Sequence, residues 1–285
     1  MYLIILIILL TISTSGIAAD NCLGDEIFSK EKLTSLSKKI VPNLYKKSKG
    51  DAGRIAIIGG STEYSGAPYF AAMSSLRVGA DVVYVVTTEA AAPIVKAYSP
   101  ALIVHPYLNK RHASKISQLI RKVDVVVIGP GFGREDDQIK LMLDIIQTCK
   151  NLTKALIIDA DALFALSYNV DILENYPRPG VILTPNSREA AKLMMVVNGN
   201  DSNWYNYWGE NVSVLLKGYE DRCYTSNPKV NWSLSSGGSE RRSAGQAAKF
   251  TRACNARAYD KYGRSMIASD MLKKMHFAFN DVFQI

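Results

Sequence analysis

Four loops in this sequence collect groups able to do chemistry, and each follows an apolar run. Gly59-Gly60-Ser61-Thr62, leading to Ser65-Gly66-Ala67-Pro68, is a glycine-rich turn opening into a helix-forming stretch. Glycines let backbone amides approach an anion, and a helix start adds favourable polarity towards it. Taken alone the segment is equally a plain turn, since its spacing matches neither standard phosphate motif. Gly129-Pro130-Gly131-Phe132-Gly133-Arg134 sets three more glycines at the end of a run. Asp159-Ala160-Asp161 presents two carboxylates, which suit metal binding or acid–base work. The plainer reading has one of them capping the helix that follows. Thr184-Pro185-Asn186-Ser187-Arg188-Glu189 puts Asn186 and Glu189 three apart, over a shared cleft or in a capping box.

Two later segments add cations. Lys217-Gly218-Tyr219-Glu220-Asp221 follows an apolar run, and Gly237-Gly238-Ser239-Glu240-Arg241-Arg242-Ser243-Ala244-Gly245-Gln246 reads as a Gly/Arg-rich loop. A lysine at a strand end and a loop of this kind both suit the phosphate chain of a nucleotide.

These loops need elements to hold them. Short β-branched runs at 54–59, 81–87, 123–128, 155–158, 181–184 and 212–216 predict buried strands. Between them, helical spacing predicts helices at 67–78 (stopped by Gly79), 112–121, 138–148 and 187–195. A further surface helix is expected in the lysine-rich stretch 29–49, from Leu33, Leu36 and Ile40. Strands alternating with helices call for an α/β fold with a parallel sheet covered on both faces. Ligands of such sheets sit at the carboxyl ends of the strands, where all of these loops fall.

Composition narrows the classes. A chain of 285 residues, 48% hydrophobic and 21% charged, suits one large globular domain. The net charge of +8 favours anionic partners, but it is dispersed rather than gathered with aromatics, so nucleic acid is not expected. Residues 1–19 have the apolar run and small-residue end of a signal peptide, too short for a stable membrane anchor. The leader suggests the secretory pathway, with mitochondrial or cytosolic residence as the alternatives. Sequons at Asn151, Asn200, Asn211 and Asn231 are compatible with that route. Cys22, Cys149, Cys223 and Cys254 lack metal-ligand spacing; they allow up to two disulfides or serve as small apolar groups.

In order and spacing, the segments resemble the ATP-dependent NAD(P)H-hydrate dehydratase family. KGDAGRIAIIGGSTEYSGAPYFAA, AAAPIVKAYSPALIVHPYL, GPGFGRE, IIDADAL, LTPNSREAAKL, LLKGYED and RSMIASDMLKKMHFAFNDVF carry the resemblance from about Lys49 onward. It implies a ribokinase-like three-layer α/β/α domain with a mostly parallel central sheet, spanning 29–285. It also implies repair of the S form of NADHX or NADPHX, with ATP phosphorylating the 6-hydroxyl before phosphate is eliminated. Gly131, Gly133 and the run Asn186, Ser187, Arg188, Glu189, Ala190, Ala191, Lys192 would lie against the hydrated dinucleotide. ATP, with magnesium on its phosphates, would be held by Lys217, Gly218, Tyr219, Glu220 and Asp221. Gly238, Ser239, Glu240, Arg241, Arg242, Ser243, Ala244, Gly245 and Gln246 would complete that site.

One departure stands out. The family closes this last loop with Gly-Asp at a helix start, the aspartate serving as base. Here Gln246 is followed by Ala247-Ala248-Lys249, and no carboxylate occurs between Arg242 and Asp260. The sequence reads as though a segment were missing between 246 and 247, taking base and anion-binding helix start together and leaving sheet surface uncovered. No catalytic residue is therefore assigned, the expected aspartate being replaced at Ala248. The departure predicts impaired catalysis; the alternatives are a truncated splice form or gene model, a non-catalytic nucleotide-binding paralogue, or a substitute base.

Overall fold

A computed structural model describes residues 48–198, 203–219, 221–226, 232–234 and 242–283. The leader, the expected helix up to residue 47 and Cys22 lie outside the described residues, as do Asn200, Asn231, Glu220 and the loop 238–241.

The apolar runs form the strands expected of them. In chain order the strands are β1 (Arg54–Ile58), β2 (Val82–Val86), β3 (Ile103–His105), β4 (Val125–Ile128), β5 (Ala155–Ile158), β6 (Val181–Leu183), β7 (Val212–Leu216), β8 (Asp221–Tyr224) and β9 (Trp232–Leu234). The helices are α1 (Gly66–Val78), α2 (Ala91–Tyr98), α3 (Ala113–Lys122), α4 (Asp136–Asn151), α5 (Asp161–Leu166), α6 (Ser187–Asn198), α7 (Arg242–Tyr262) and α8 (Ala268–Phe283). Gly79 ends α1 as predicted, in the left-handed conformation (φ 114°) that glycine adopts without a Cβ penalty.

The strands make one sheet in the order β3-β2-β1-β4-β5-β6-β7-β8-β9. Strands β1 to β7 pair in parallel, and β8 and β9 add an antiparallel edge. Alternation along the strands separates two cores. Ile55, Ile57, Val125, Val127 and Ile157 face α1, α2, α7 and α8. Ala56, Ile58, Val126, Ile128 and Ile158 face α3, α4, α5 and α6. Three layers follow, because each face of a fully buried parallel strand must be covered.

Two expectations are corrected by the C-terminal part. The segment 242–246, expected as loop, begins helix α7, which runs without a break across the Gln246–Ala247 junction for 21 residues. The helix therefore starts inside the Gly/Arg-rich segment, at Arg242. Nor is the sheet left bare: Phe250 and Cys254 of α7 and Met275, Ala278 and Phe283 of α8 are buried on its inner face. On this face α7 packs against β8 and β9, α8 packs against α7 and α1, and α1 packs on β1 and β2; Ile55, Ile57, Val127 and Ile157 have no exposure. Cys149, Cys223 and Cys254 are buried, and no disulfide joins these described cysteines to one another. Burial pushes the thiols of Cys149 and Cys254 up to about 12.

Candidate active site

The strand order locates the site before any side chain is considered. The chain runs outward from β1 through β2 to β3, then returns to place β4 on the other side of β1. The crevice at such a reversal, beyond the carboxyl ends of the strands, is where open α/β sheets bind ligands. A cleft of about 700 Å³ lies there, lined by Ser61, Thr62 and Tyr64 after β1 and by Gly131, Gly133 and Arg134 after β4. Glu63, Glu135 and Asp161 also line it.

Two glycines allow the loops to meet. A Cβ on Gly59 would stand 2.2 Å from the carbonyl oxygen of Pro130, where the neighbouring Gly60 amide donates at 3.0 Å. Gly131 has φ +63°, and a Cβ there would meet Tyr64 Cβ at 2.7 Å. The tandem glycines thus serve close backbone approach as well as turn geometry.

The acids of the Asp159-Ala160-Asp161 segment do not cap a helix, which corrects the plainer reading. Ala160 holds the cap position at φ 48°, ψ −117°, with no side-chain cap bond. A non-glycine residue at positive φ is strained and must be held by its surroundings. The bend turns the two carboxylates to different partners. Asp161 accepts from the Gly133 amide at 2.9 Å and from Arg134 Nε at 2.7 Å, bracing the cleft loop. Asp159 Oδ1 accepts from Lys217 Nζ and from the Thr184 hydroxyl, both at 2.8 Å, which ties together the ends of β5, β6 and β7.

Asn186 and Glu189 form a reciprocal capping box. Asn186 Oδ1 accepts from the amides of Arg188 (2.9 Å) and Glu189 (3.0 Å), and Glu189 Oε2 accepts from the Asn186 amide at 2.8 Å. Ala190 is buried in the core, whereas Ser187, Arg188, Ala191 and Lys192 are exposed on α6. Lys192 and Arg134 both approach the Phe164 ring, at 5.3 and 4.9 Å from its centroid, so α6 borders the cleft through this aromatic.

Lys217 continues the line. Its amide donates to Pro185 at 2.8 Å, and it bridges to Asn186 across the strand ends. Gly218 and Tyr219 are exposed, whereas Asp221 is fully buried and ion-paired to Arg252 of α7 at 2.8 Å. The sequence-named loops that follow β1, β4, β5, β6 and β7 thus fall along one edge. Four strand spacings make that edge about 19 Å long, room for two nucleotides side by side. Ser243, Ala244, Gly245 and Gln246 sit in the first turns of α7.

Sequence reasoning missed Tyr64, the Asp159–Lys217 tie and Arg252. Tyr64 stands beside a flagged glycine loop and was within reach; Arg252 lies 31 residues from its partner in a segment without a chemical signature.

A parallel sheet between helical layers, with its site at the β1/β4 reversal, defines a ribokinase-like α/β protein. Its fold matches a ribokinase-like superfamily protein from Enterococcus faecalis with a TM-score of 0.72 at 16% identity, covering 93% of this chain and all of that one. The fold of the Bacillus subtilis ADP/ATP-dependent NAD(P)H-hydrate dehydratase, co-crystallised with ATP and Mg²⁺, matches at 0.65 and 16% identity, covering 90% and 98%. The family model for NAD(P)H-hydrate dehydratase matches residues 55–248. An ATP-dependent (S)-NAD(P)H-hydrate dehydratase from Aedes aegypti is 38% identical over 90% of this chain and 86% of its own length. One from Drosophila melanogaster is 38% identical over 89% and 94%, and one from Mus musculus 33% over 89% and 86%. The chain belongs to the NAD(P)H-hydrate dehydratase family.

Proposed function

We propose that this chain binds ATP and the S form of hydrated NAD(P)H side by side along the strand-end edge. In this reading it performs the family's phosphorylation and elimination slowly, for want of a base. The hydrated dinucleotide occupies the cleft between the β1 and β4 loops and the exposed face of 186–192. ATP lies beyond it, on Lys217, the 218–221 turn and the segment 238–246. The ammonium of Lys217 stands at the β7 end against Asp159, and it suits a phosphate oxygen as a point charge.

A magnesium ion fits this site only as part of the nucleotide. No group of three ligating side chains stands together among the described residues, and Asp159 and Asp161 are each tied to a cation. Magnesium characteristically binds through substrate phosphates with few protein ligands. It would neutralise phosphate charge, while this chain's own residues orient the two nucleotides.

The observation that carries the reading is α7 itself: its first turn holds no acidic residue, and none follows before Asp260. Losing a general base lowers turnover by roughly 10²–10⁴-fold while leaving ligand contacts in place. The alignment with the Aedes aegypti relative supports a lost segment. It runs over 293 positions but uses 90% of a 285-residue chain, so the relative has internal residues without a counterpart here. The same observation favours the second reading, a nucleotide-binding protein with no turnover at all. Calorimetry with MgATP and with hydrated NADH tests the binding half. Saturable binding of both is expected, and absence of both would refute the proposal.

A further inference from the structure

Arg252 lies in α7, outside every segment that resembles a ligand-binding loop. Its guanidinium nonetheless closes on the turn after β7. Nε donates to Asp221 Oδ2 at 2.8 Å, and Nη2 donates to the carbonyls of Gly218 at 3.1 Å and Tyr219 at 2.9 Å. Asp221 has no exposure, and its Oδ1 accepts the Gly218 amide at 3.1 Å. One planar fork therefore grips a carboxylate and two backbone carbonyls, a geometry that lysine cannot reproduce.

Gly218 and Tyr219 are exposed, Tyr219 at 89%, so core packing does not hold the tip. Arg252 itself is well anchored. Phe250, Cys254 and Ala258 recur at helical spacing and are buried against the sheet, so α7 cannot roll without opening the core. From the other end, the turn directs Lys217, whose ammonium rests on Asp159.

We infer that Arg252 is a positioning residue for ATP, holding Gly218, Tyr219 and Asp221 beside Lys217 in their receiving arrangement and coupling the C-terminal hairpin to the nucleotide site. This rests on the assignment of ATP to that turn.

The test uses the full chain and Arg252→Lys, which keeps a cation beside Asp221 but cannot serve both carbonyls. Affinities for MgATP and for hydrated NADH are measured by calorimetry, alongside thermal melting. A fall in MgATP affinity of about ten-fold, with dinucleotide affinity and melting close to the parent, is expected from losing charge-assisted bonds. Arg252→Gln combined with Asp221→Asn, which strands no buried charge, should show the same split. Unchanged MgATP affinity in Arg252→Lys overturns the inference. So does an equal fall in both affinities together with melting, the mark of a merely structural residue. A parent chain that binds hydrated NADH but no MgATP overturns the ATP assignment itself, and this inference with it.

Discussion

The tie between Asp159 and Lys217 lends itself to a double-mutant cycle. The two side chains meet at 2.8 Å with exposures of 16% and 21%, joining the end of β5 to the end of β7. At an effective dielectric of about 20, that separation gives a gross attraction of about 6 kcal/mol. Desolvation of both partners offsets most of it, and the remaining solvent contact screens part of the rest, so a net coupling of about 1–2 kcal/mol is expected. Asp159→Asn, Lys217→Met and the double variant should be unfolded in urea and the coupling taken from the four free energies. Ligand binding should separate the partners. Lys217→Met removes a phosphate contact and should weaken MgATP about ten-fold or more. Asp159→Asn leaves the ammonium unneutralised and should preserve that affinity. A coupling below about 0.3 kcal/mol, within the additivity error of independent sites, would refute the tie as a structural brace. Equal MgATP affinity in Lys217→Met would refute its role at the phosphates.

Three further outcomes follow from the same geometry. Gly131→Ala places a Cβ 2.7 Å from Tyr64 Cβ at φ +63°; denaturation should show a loss of about 2 kcal/mol, and calorimetry weaker dinucleotide than ATP binding. At the start of α8, the Ile267 amide and then Lys273 hold the Asp270 carboxyl below its usual range. The stability Asp270 adds is thus present above its unfolded value and lost as pH falls through the lower folded one; Asp270→Asn should lower the melting temperature at neutral pH, with the difference closing in acid. If the leader directs secretion, N-glycan mapping of the secreted chain should find Asn151, exposed at the end of α4, modified. Asn211 should not be, because its Nδ2 donates to the Tyr176 carbonyl at 2.9 Å.

What the sequence made legible was decided by how local the cause is. Runs such as 82–86 and 155–158 are apolar on both faces, and the pattern alone specifies a buried parallel strand. Strand β3 has three residues and β8 reads DRCY, so neither offers a period, and both are set by the neighbours they pair with. The glycine loops announced the cleft, but their purpose, the near contact of Gly59 with Pro130, involves residues far apart in the chain. For Asp161, a cap and a loop brace are equivalent in sequence; the bend at Ala160 decides between them. The segment 242–246 looked like loop because of its glycine and serine, while the apolar stripe that makes it helix begins only at Phe250. The Asp221–Arg252 pair could not be read, because Asp221 stood in a flagged segment but Arg252, far along the chain, has no local signature.

The central claim is that the site is intact for binding and deficient in its base. Its most direct test compares steady-state turnover of (S)-NADHX with saturating ATP and magnesium for this chain and the Aedes aegypti relative, followed by recovery of reduced-nicotinamide absorbance. Saturable binding with turnover roughly 10²–10⁴-fold below the relative is the predicted result. Turnover equal to the relative's would contradict it and would require a base elsewhere in the cleft.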